Sequence, residues 1–545
     1  MSNKIRTFAL VRGMFNASRC RGKDRIMLGR MTYIIRLRVL ACASLLCSLL
    51  CDAQSVLTLR VGNALPNVLD GMGVELDPHF LPQNVTANNG TRAEDWDSVV
   101  LRRLRLLRPA KLRVMILPEW YEPQNDDASP LTTDTARFHF DGPEMQSLYR
   151  VLDFAQAEGM RVTLTFWGTR TGTFLHPQPV PGWMFGPTEH DEWAENLSVC
   201  LHHLLHVKGY RCIHEVTPVN EPDWSFHSAT RDQAKQYIHM CLRLGERLRR
   251  DSLSSEVHLS LSDNSDGGSH TRAFLAACCD SLSREAELFN SHTYVFGYET
   301  PNSRILDWER QNVALCARVG KRHFIGEFGS NQTVGATVQR DIDRYERGLL
   351  MARVVINLLN AGATGASYWS LLDQYYSRGE ALARRNMQRL GLWRYLKREY
   401  KGDSIYAHLS CDYEVRPQYF ALGMIYHAVL PGSRVFPMET GSEWVAATAL
   451  CDSLGRWSYL LVNPTETDQP VMLEHPRKRS SEAQPHVGRA TLWKYVYRED
   501  ALPQDDAMVV ASDSLRMRRG LVRLTLPRRS FIVLSYSPTF STKPS

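Results

Sequence analysis

The sequence predicts a (β/α)8 barrel followed by an all-β sandwich. Three observations carry that reading. Short β-rich runs alternate with amphipathic helical stretches eight times between about residues 66 and 430. Past Leu430-Pro431-Gly432 the helical spacers stop, and strands follow one another across turn residues. No Gly-rich fingerprint follows an early strand, which weighs against the alternative of a doubly wound open sheet.

The first element in chain order is a leader, residues 1–53. Arg36 and Arg38 precede an apolar run over 39–50 and then Cys51-Asp52-Ala53-Gln54, the pattern of a secretory signal peptide cut after Ala53. The run is shorter than the ~20 apolar residues that span a bilayer, so export is expected rather than stable membrane insertion. Charge points the same way. Of the formal +7 carried by 545 residues, +8 belongs to residues 1–53, which leaves −1 for the rest. A basic footprint for nucleic acid is therefore missing from residues 54–545. With 43% apolar and 23% charged residues the chain is neither disordered nor fibrous.

Residues 54–65 carry a strand over 55–61 placed to pair with the C-terminal sandwich. The barrel follows over 66–430, with strands expected at 72–76, 112–117, 161–166, 215–219, 257–261, 288–294, 323–327 and 364–369. Trp193, Leu197, Leu201 and Leu204 recur at helical spacing before Gly209, as do Tyr237, Cys241, Leu244 and Leu248. A third such stretch, 349–359, stops before Gly362. The segment 373–416 reads as an extended loop over the C-terminal face of the barrel. The sandwich occupies 431–545, with strands at 444–450, 457–463, 491–497, 521–526 and 530–536. The eight cysteines after the leader show no C-x-x-C spacing, so they read as small buried residues; export would also permit a bridge such as Cys200–Cys212.

Two carboxylates end predicted strands. Glu221 closes the fourth in Asn220-Glu221-Pro222, and Glu327 closes the seventh in Gly326-Glu327-Phe328. Barrel active sites are built at the C-terminal ends of strands, so the two converge on one pocket despite their distance in sequence. Glu119 and Asp263 also end strands and are weaker candidates for binding hydroxyls. No His-x-His or His/Asp cluster with ligand spacing accompanies them, so neither metal nor cofactor is expected.

On these residues the chain resembles the largest clan of retaining glycoside hydrolases, with its cellulase-like, xylosidase-like and galactanase-like families. The resemblance covers most of 66–545. It makes Glu221 the acid/base and Glu327 the nucleophile. Arg113, His292-Thr293-Tyr294 and Trp369 stand where the clan keeps an Arg, a His-x-Tyr and a Trp, and Arg416-Pro417-Gln418-Tyr419-Phe420 resembles the start of its last helix. The implied protein is a secreted β-glycosidase acting on a carbohydrate with water as second substrate. A binding protein that has lost activity on the same fold is the alternative, and the presence of both Glu residues weighs against it.

Chemistry independently favours these residue types. Retention needs a nucleophile below the sugar and a proton donor beside the leaving oxygen, ~5 Å apart. Asn220 is suited to donate to the sugar 2-hydroxyl, and Arg113 and Tyr294 to hold Glu327 as a carboxylate. His292 either touches sugar or serves as a hydrogen-bonded structural residue. Trp369, Trp167 and Trp120, with Trp183 and Trp224 behind them, offer aromatic faces for stacking on sugar. Loops 123–143, 168–187 and 373–416 shape the cleft.

Overall fold

The computed structural model describes residues 56–78, 96–180, 184–226, 232–265, 269–295, 297–330, 341–375, 387–388, 390–394, 396–401, 404–409, 413–475 and 489–538. The leader, Trp183, Cys411 and part of the 373–416 segment lie outside them. The described residues from Leu57 onward form one compact unit.

Eight parallel strands close into a barrel: Gly73–Glu75, Lys111–Ile116, Arg161–Phe166, Ile213–Thr217, Leu259–Asn264, Ala286–Val295, Arg322–Ser330 and Ala366–Tyr368. The circuit closes where Gly73 and Val74 pair with Ser367 and Tyr368. Most of these strands are buried almost throughout, as in Lys111–Ile116, because helices cover the outer face and side chains fill the inner one. Every strand lies within a few residues of its expected place. The sixth and seventh run on to Val295 and Ser330, so His292, Tyr294 and Glu327 sit inside strands rather than at their tips. The fifth extends to Asn264 and so takes in Asp263.

The helices follow their apolar periodicity. Helix His190–His202 buries Trp193, Leu197 and Leu201 and runs on into a π-helical stretch, His203–Val207, that takes up Leu204. Helix Glu346–Ala361 is buried nearly all round because it packs between the barrel and the second β module. It ends at Gly362, whose φ of 107° is the left-handed conformation that a glycine adopts without steric cost. Tyr345 at its start stacks on Tyr497 of that module with centroids 4.7 Å apart, and the Tyr497 hydroxyl donates to the Tyr345 carbonyl at 2.8 Å.

The second β module has nine strands in a closed hydrogen-bonded circuit. Five match the expected set: Ala446–Cys451, Trp457–Asn463, Arg489–Tyr497, Leu521–Leu526 and Ser530–Ser535. Three more, Arg434–Glu439, Gln469–Glu474 and Ala511–Arg518, escaped the sequence reading. The first two contain Pro437 and Pro470, which argue against a strand, and the third is mostly exposed and polar. The ninth strand, Leu57–Val61, runs antiparallel to Arg434–Glu439 and parallel to Gln469–Glu474, so it joins two edges that would otherwise lie open.

Between the eighth strand and helix Pro417–Ala428 the described residues form two antiparallel strand pairs, Gln374–Tyr375 with Met387–Gln388 and Leu396–Lys401 with Ser404–Leu409, where the sequence read as loop. Their base is clasped by Arg416, whose Nη1 and Nη2 donate to Asp373 at 2.7 and 3.0 Å. Cys200, Cys212, Cys241, Cys278, Cys279, Cys316 and Cys451 are all buried and free, so the suggested Cys200–Cys212 bridge is not formed. The Cys212 thiol instead donates to the Leu152 carbonyl. Among the described residues no helix is long and apolar enough to cross a membrane.

Candidate active site

The site sits inside the C-terminal end of the barrel. Glu327 is buried in the seventh strand. Arg113 Nη1 from the second strand donates to one of its carboxylate oxygens, and the Tyr294 hydroxyl from the sixth donates to the other at 2.6 Å. Arg113 is itself buried. Its Nη2 donates to Asn220 Oδ1 and to Asp263 Oδ2, each at 2.8 Å. One guanidinium thus ties together residues contributed by four barrel segments, the use for which its planar fork is suited. Gly326 makes room for this crossing, since a Cβ there would come within 2.7 Å of Asp263 Oδ1.

Glu221 lies four residues past the fourth strand, with φ 44° and ψ 58°, and caps the short helix Pro222–Ser225. Its side chain is one-third exposed, so it faces the opening while Glu327 forms the floor. A carboxylate oxygen of each, together with a ring nitrogen of His292, falls within 4.8 Å of the others. His292 Nδ1 is 3.0 Å from Glu221 Oε1 and 3.3 Å from Glu327 Oε2, and its Nε2 is 3.2 Å from Asp263 Oδ1.

The charges explain the protonation states. Burial raises the Glu221 carboxyl above its ordinary range, His292 opposes the rise and Glu327 adds to it. Burial also opposes a charged His292, but Glu327 and Asp263 outweigh it and raise the imidazole to about 10. Asp263 resists burial in turn and is held below the usual range by Arg113 and His292. Tyr294 is pushed well up by burial and by Glu327, which keeps its O–H as a donor. The trio Glu221, His292 and Glu327 also has the spacing of a metal site.

The expected residues divide clearly. Asn220, Arg113, His292 and Tyr294 join Glu221 and Glu327 in one connected network. Trp120, Trp167 and Trp369 are mostly buried, each just past the second, third or eighth strand at the same end of the barrel. Trp224 is exposed and donates through Nε1 to Ser265 at 2.6 Å, which directs its indole toward the fifth strand's loop. Glu119 is turned to the neighbouring loop, where Oε1 accepts from the Thr169 hydroxyl at 2.7 Å and the Arg170 amide at 2.9 Å. Asp263 is fully buried under Arg113 and His292, a positioning place rather than a hydroxyl-binding one.

Glu75 was missed. It lies on the first strand in register with Arg113, and burial raises it well above the ordinary range, as do the charges of Asp77 and Glu327, with Arg113 opposing. A carboxylate inside the apolar run Met72-Gly73-Val74-Glu75-Leu76 was the available signal.

No family model and no curated protein matches the chain. Solved structures do. The catalytic domain of a GH30 xylanase C from Talaromyces cellulolyticus aligns with TM-score 0.58 and 15% identity over 88% of this chain and 100% of that one. A glycoside hydrolase family 30 subfamily 8 xylanase from Clostridium acetobutylicum aligns at 0.55 and 12% over 88% and 98%. A glucosidase from Croceicoccus marinus aligns at 0.56 and 11% over 88% and 98%. At such identities the likeness is one of architecture: this chain has the barrel-plus-β-module fold that these glycoside hydrolases carry.

Proposed function

We propose that the protein is a secreted retaining β-glycosidase that hydrolyses O-glycosidic bonds of a glycan or glycoside by double displacement. One observation carries the reading. One carboxylate oxygen of Glu221 and one of Glu327 lie within 4.8 Å of each other, which fits the ~5 Å separation of retaining enzymes better than the ~6.5–9.5 Å that admits a water between the groups. The fold shared with xylanases and a glucosidase supports a carbohydrate substrate. Export rests on the leader pattern of residues 36–54.

In the first step Glu327 attacks the anomeric carbon while Glu221 gives its proton to the departing oxygen. Arg113 and Tyr294 donate to the two oxygens of Glu327 and keep it aligned for attack. Once Glu327 is an ester, its charge no longer raises Glu221, and the His292 imidazolium 3.0 Å away favours the Glu221 anion. Glu221 then takes a proton from water, which attacks the anomeric carbon and releases Glu327. Asn220, its Oδ1 occupied by Arg113, presents its amide N–H toward the sugar 2-hydroxyl. Trp120, Trp167 and Trp369 supply the aromatic walls. The cycle needs no cofactor.

A screen of chromogenic glycosides and polysaccharides identifies the sugar, and proton NMR at early times then reports the first-formed anomer. The expected product keeps its configuration; an inverted product overturns the mechanism. Glu221→Ala on an activated aryl glycoside should form the ester and stall, and azide should restore turnover to give a glycosyl azide of retained configuration.

A further inference from the structure

A second cluster of carboxylates lies away from the Glu221–Glu327 network. The loop after the second barrel strand carries Glu122 and Asp126, and the first turns of helix His190–His202 carry Glu192 and Glu195. All four are buried, with exposures of 0%, 4%, 6% and 0% in that order. One carboxylate oxygen from each of Glu122, Asp126 and Glu192 falls within 4.8 Å of the others.

The cluster is short of positive charge. Among the described residues the cation that reaches it is Arg247, 3.7 Å from Glu195 Oε1, and its guanidinium already serves Asp251, the Pro130 carbonyl and Thr133. Glu122 accepts from Asn196 Nδ2 at 2.8 Å and from the Asp126 amide at 3.2 Å. Asp126 accepts from the amides of Asp127 and Asp134 at 2.7 and 2.6 Å. The remaining acceptors are less well served. Glu192 Oε1, Glu195 Oε2 and Asn125 Oδ1 are buried with no hydrogen-bond donor among the described residues. A buried carboxylate oxygen with neither donor nor cation is costly, and Glu192 Oε1 belongs to a side chain that shares the 4.8 Å group with Glu122 and Asp126.

We propose that Glu122, Asp126 and Glu192 bind one Ca²⁺ ion that braces the loop after the second strand against the helix before the fourth. The donor set is all oxygen and anionic, which selects a hard cation. Ca²⁺–oxygen bonds of ~2.4 Å put ligands at most ~5 Å apart, and the observed oxygens satisfy that bound. Mg²⁺ keeps several of its waters and is seldom held in an all-protein cage, so Ca²⁺ is the better match for three buried carboxylates. No spacing motif joins residues 122, 126 and 192, which is why the sequence offered no metal site. The loop begins at Trp120, so the ion would also steady one wall of the cleft. This inference stands whether or not the glycosidase reading holds.

The test uses the full chain stripped with EGTA and titrated calorimetrically with CaCl2, then MgCl2. One Ca²⁺ per chain is expected, with Kd of ~10⁻⁴ M or tighter, at least ~10-fold weaker Mg²⁺ binding, and a Tm that rises with added Ca²⁺. Glu192→Gln should weaken Ca²⁺ at least ~10-fold while its Tm in EGTA equals or exceeds that of the wild type, because a repelling charge has gone; Glu122→Gln serves if that variant fails to fold. Wild-type protein that takes up no Ca²⁺, a Tm indifferent to it, equal affinity for Mg²⁺, or a Glu192→Gln chain that binds Ca²⁺ like the wild type overturns the proposal.

Discussion

Two layers of buried charge cross the same barrel, and they differ in balance. In the lower layer Lys111 on the second strand meets Glu215 on the fourth at 3.0 Å, with Thr163 donating to the same carboxylate at 3.1 Å and Phe324 under the ammonium. One cation faces one anion. Burial opposes the Glu215 carboxylate, but Lys111 and Thr163 hold it below the ordinary range. Two residues along the second strand, Arg113 enters the upper layer. There Arg113 and His292 are shared among Glu75, Glu221, Asp263 and Glu327. Burial raises Glu75 and Glu221, with Glu327 adding to both, and Glu327 and Asp263 raise His292 against its own burial. A buried carboxylate matched by its own cation, like Glu215, is thus lowered, while Glu75 and Glu221, which share theirs, are raised.

The largest effect that sharpens this contrast is Glu327→Ala. It should lower turnover of every substrate by at least ~10⁴-fold, since no ester can form, while the chain still melts cooperatively. Near-wild-type rates in that variant would falsify the nucleophile assignment.

Lys111→Met tests the lower layer. It leaves Glu215 buried without its cation and should cost ~3–5 kcal/mol in denaturant unfolding, with kcat little changed in the folded protein. Glu215 is depressed in the native state, so the pair's contribution is present above the unfolded carboxyl pKa and fades as pH falls through the lower native value. The variant and wild type should accordingly converge in stability under acid. A loss of kcat with unchanged stability would erase the distinction between the layers.

Tyr294→Phe removes one donor from Glu327 and should lower kcat ~10–100-fold with KM changed less. The smallest effect is on pH. His292→Gln removes the cation that opposes protonation of Glu221, so the alkaline limb of the rate profile, which follows loss of the Glu221 proton, should move to higher pH. A limb that stays in place would show that His292 does not set the Glu221 proton affinity.

Local pattern determined much of this protein. All eight barrel strands were legible because a buried strand and an amphipathic helix each leave a periodic trace in a dozen residues. Glu221 and Glu327 were legible for the same reason: strand position in a barrel fixes which end a residue faces. The closed circuit of the β module was not. Strand Leu57–Val61 finds its partners at 434–439 and 469–474, and nothing local to residue 57 encodes a pairing so remote. The placement of Asp263, of Glu75 and of the Glu122–Asp126–Glu192 cluster was likewise decided by tertiary structure. A side chain's type is written at its position, but its proton, its burial and its partners depend on charges that several distant segments bring within a few ångströms.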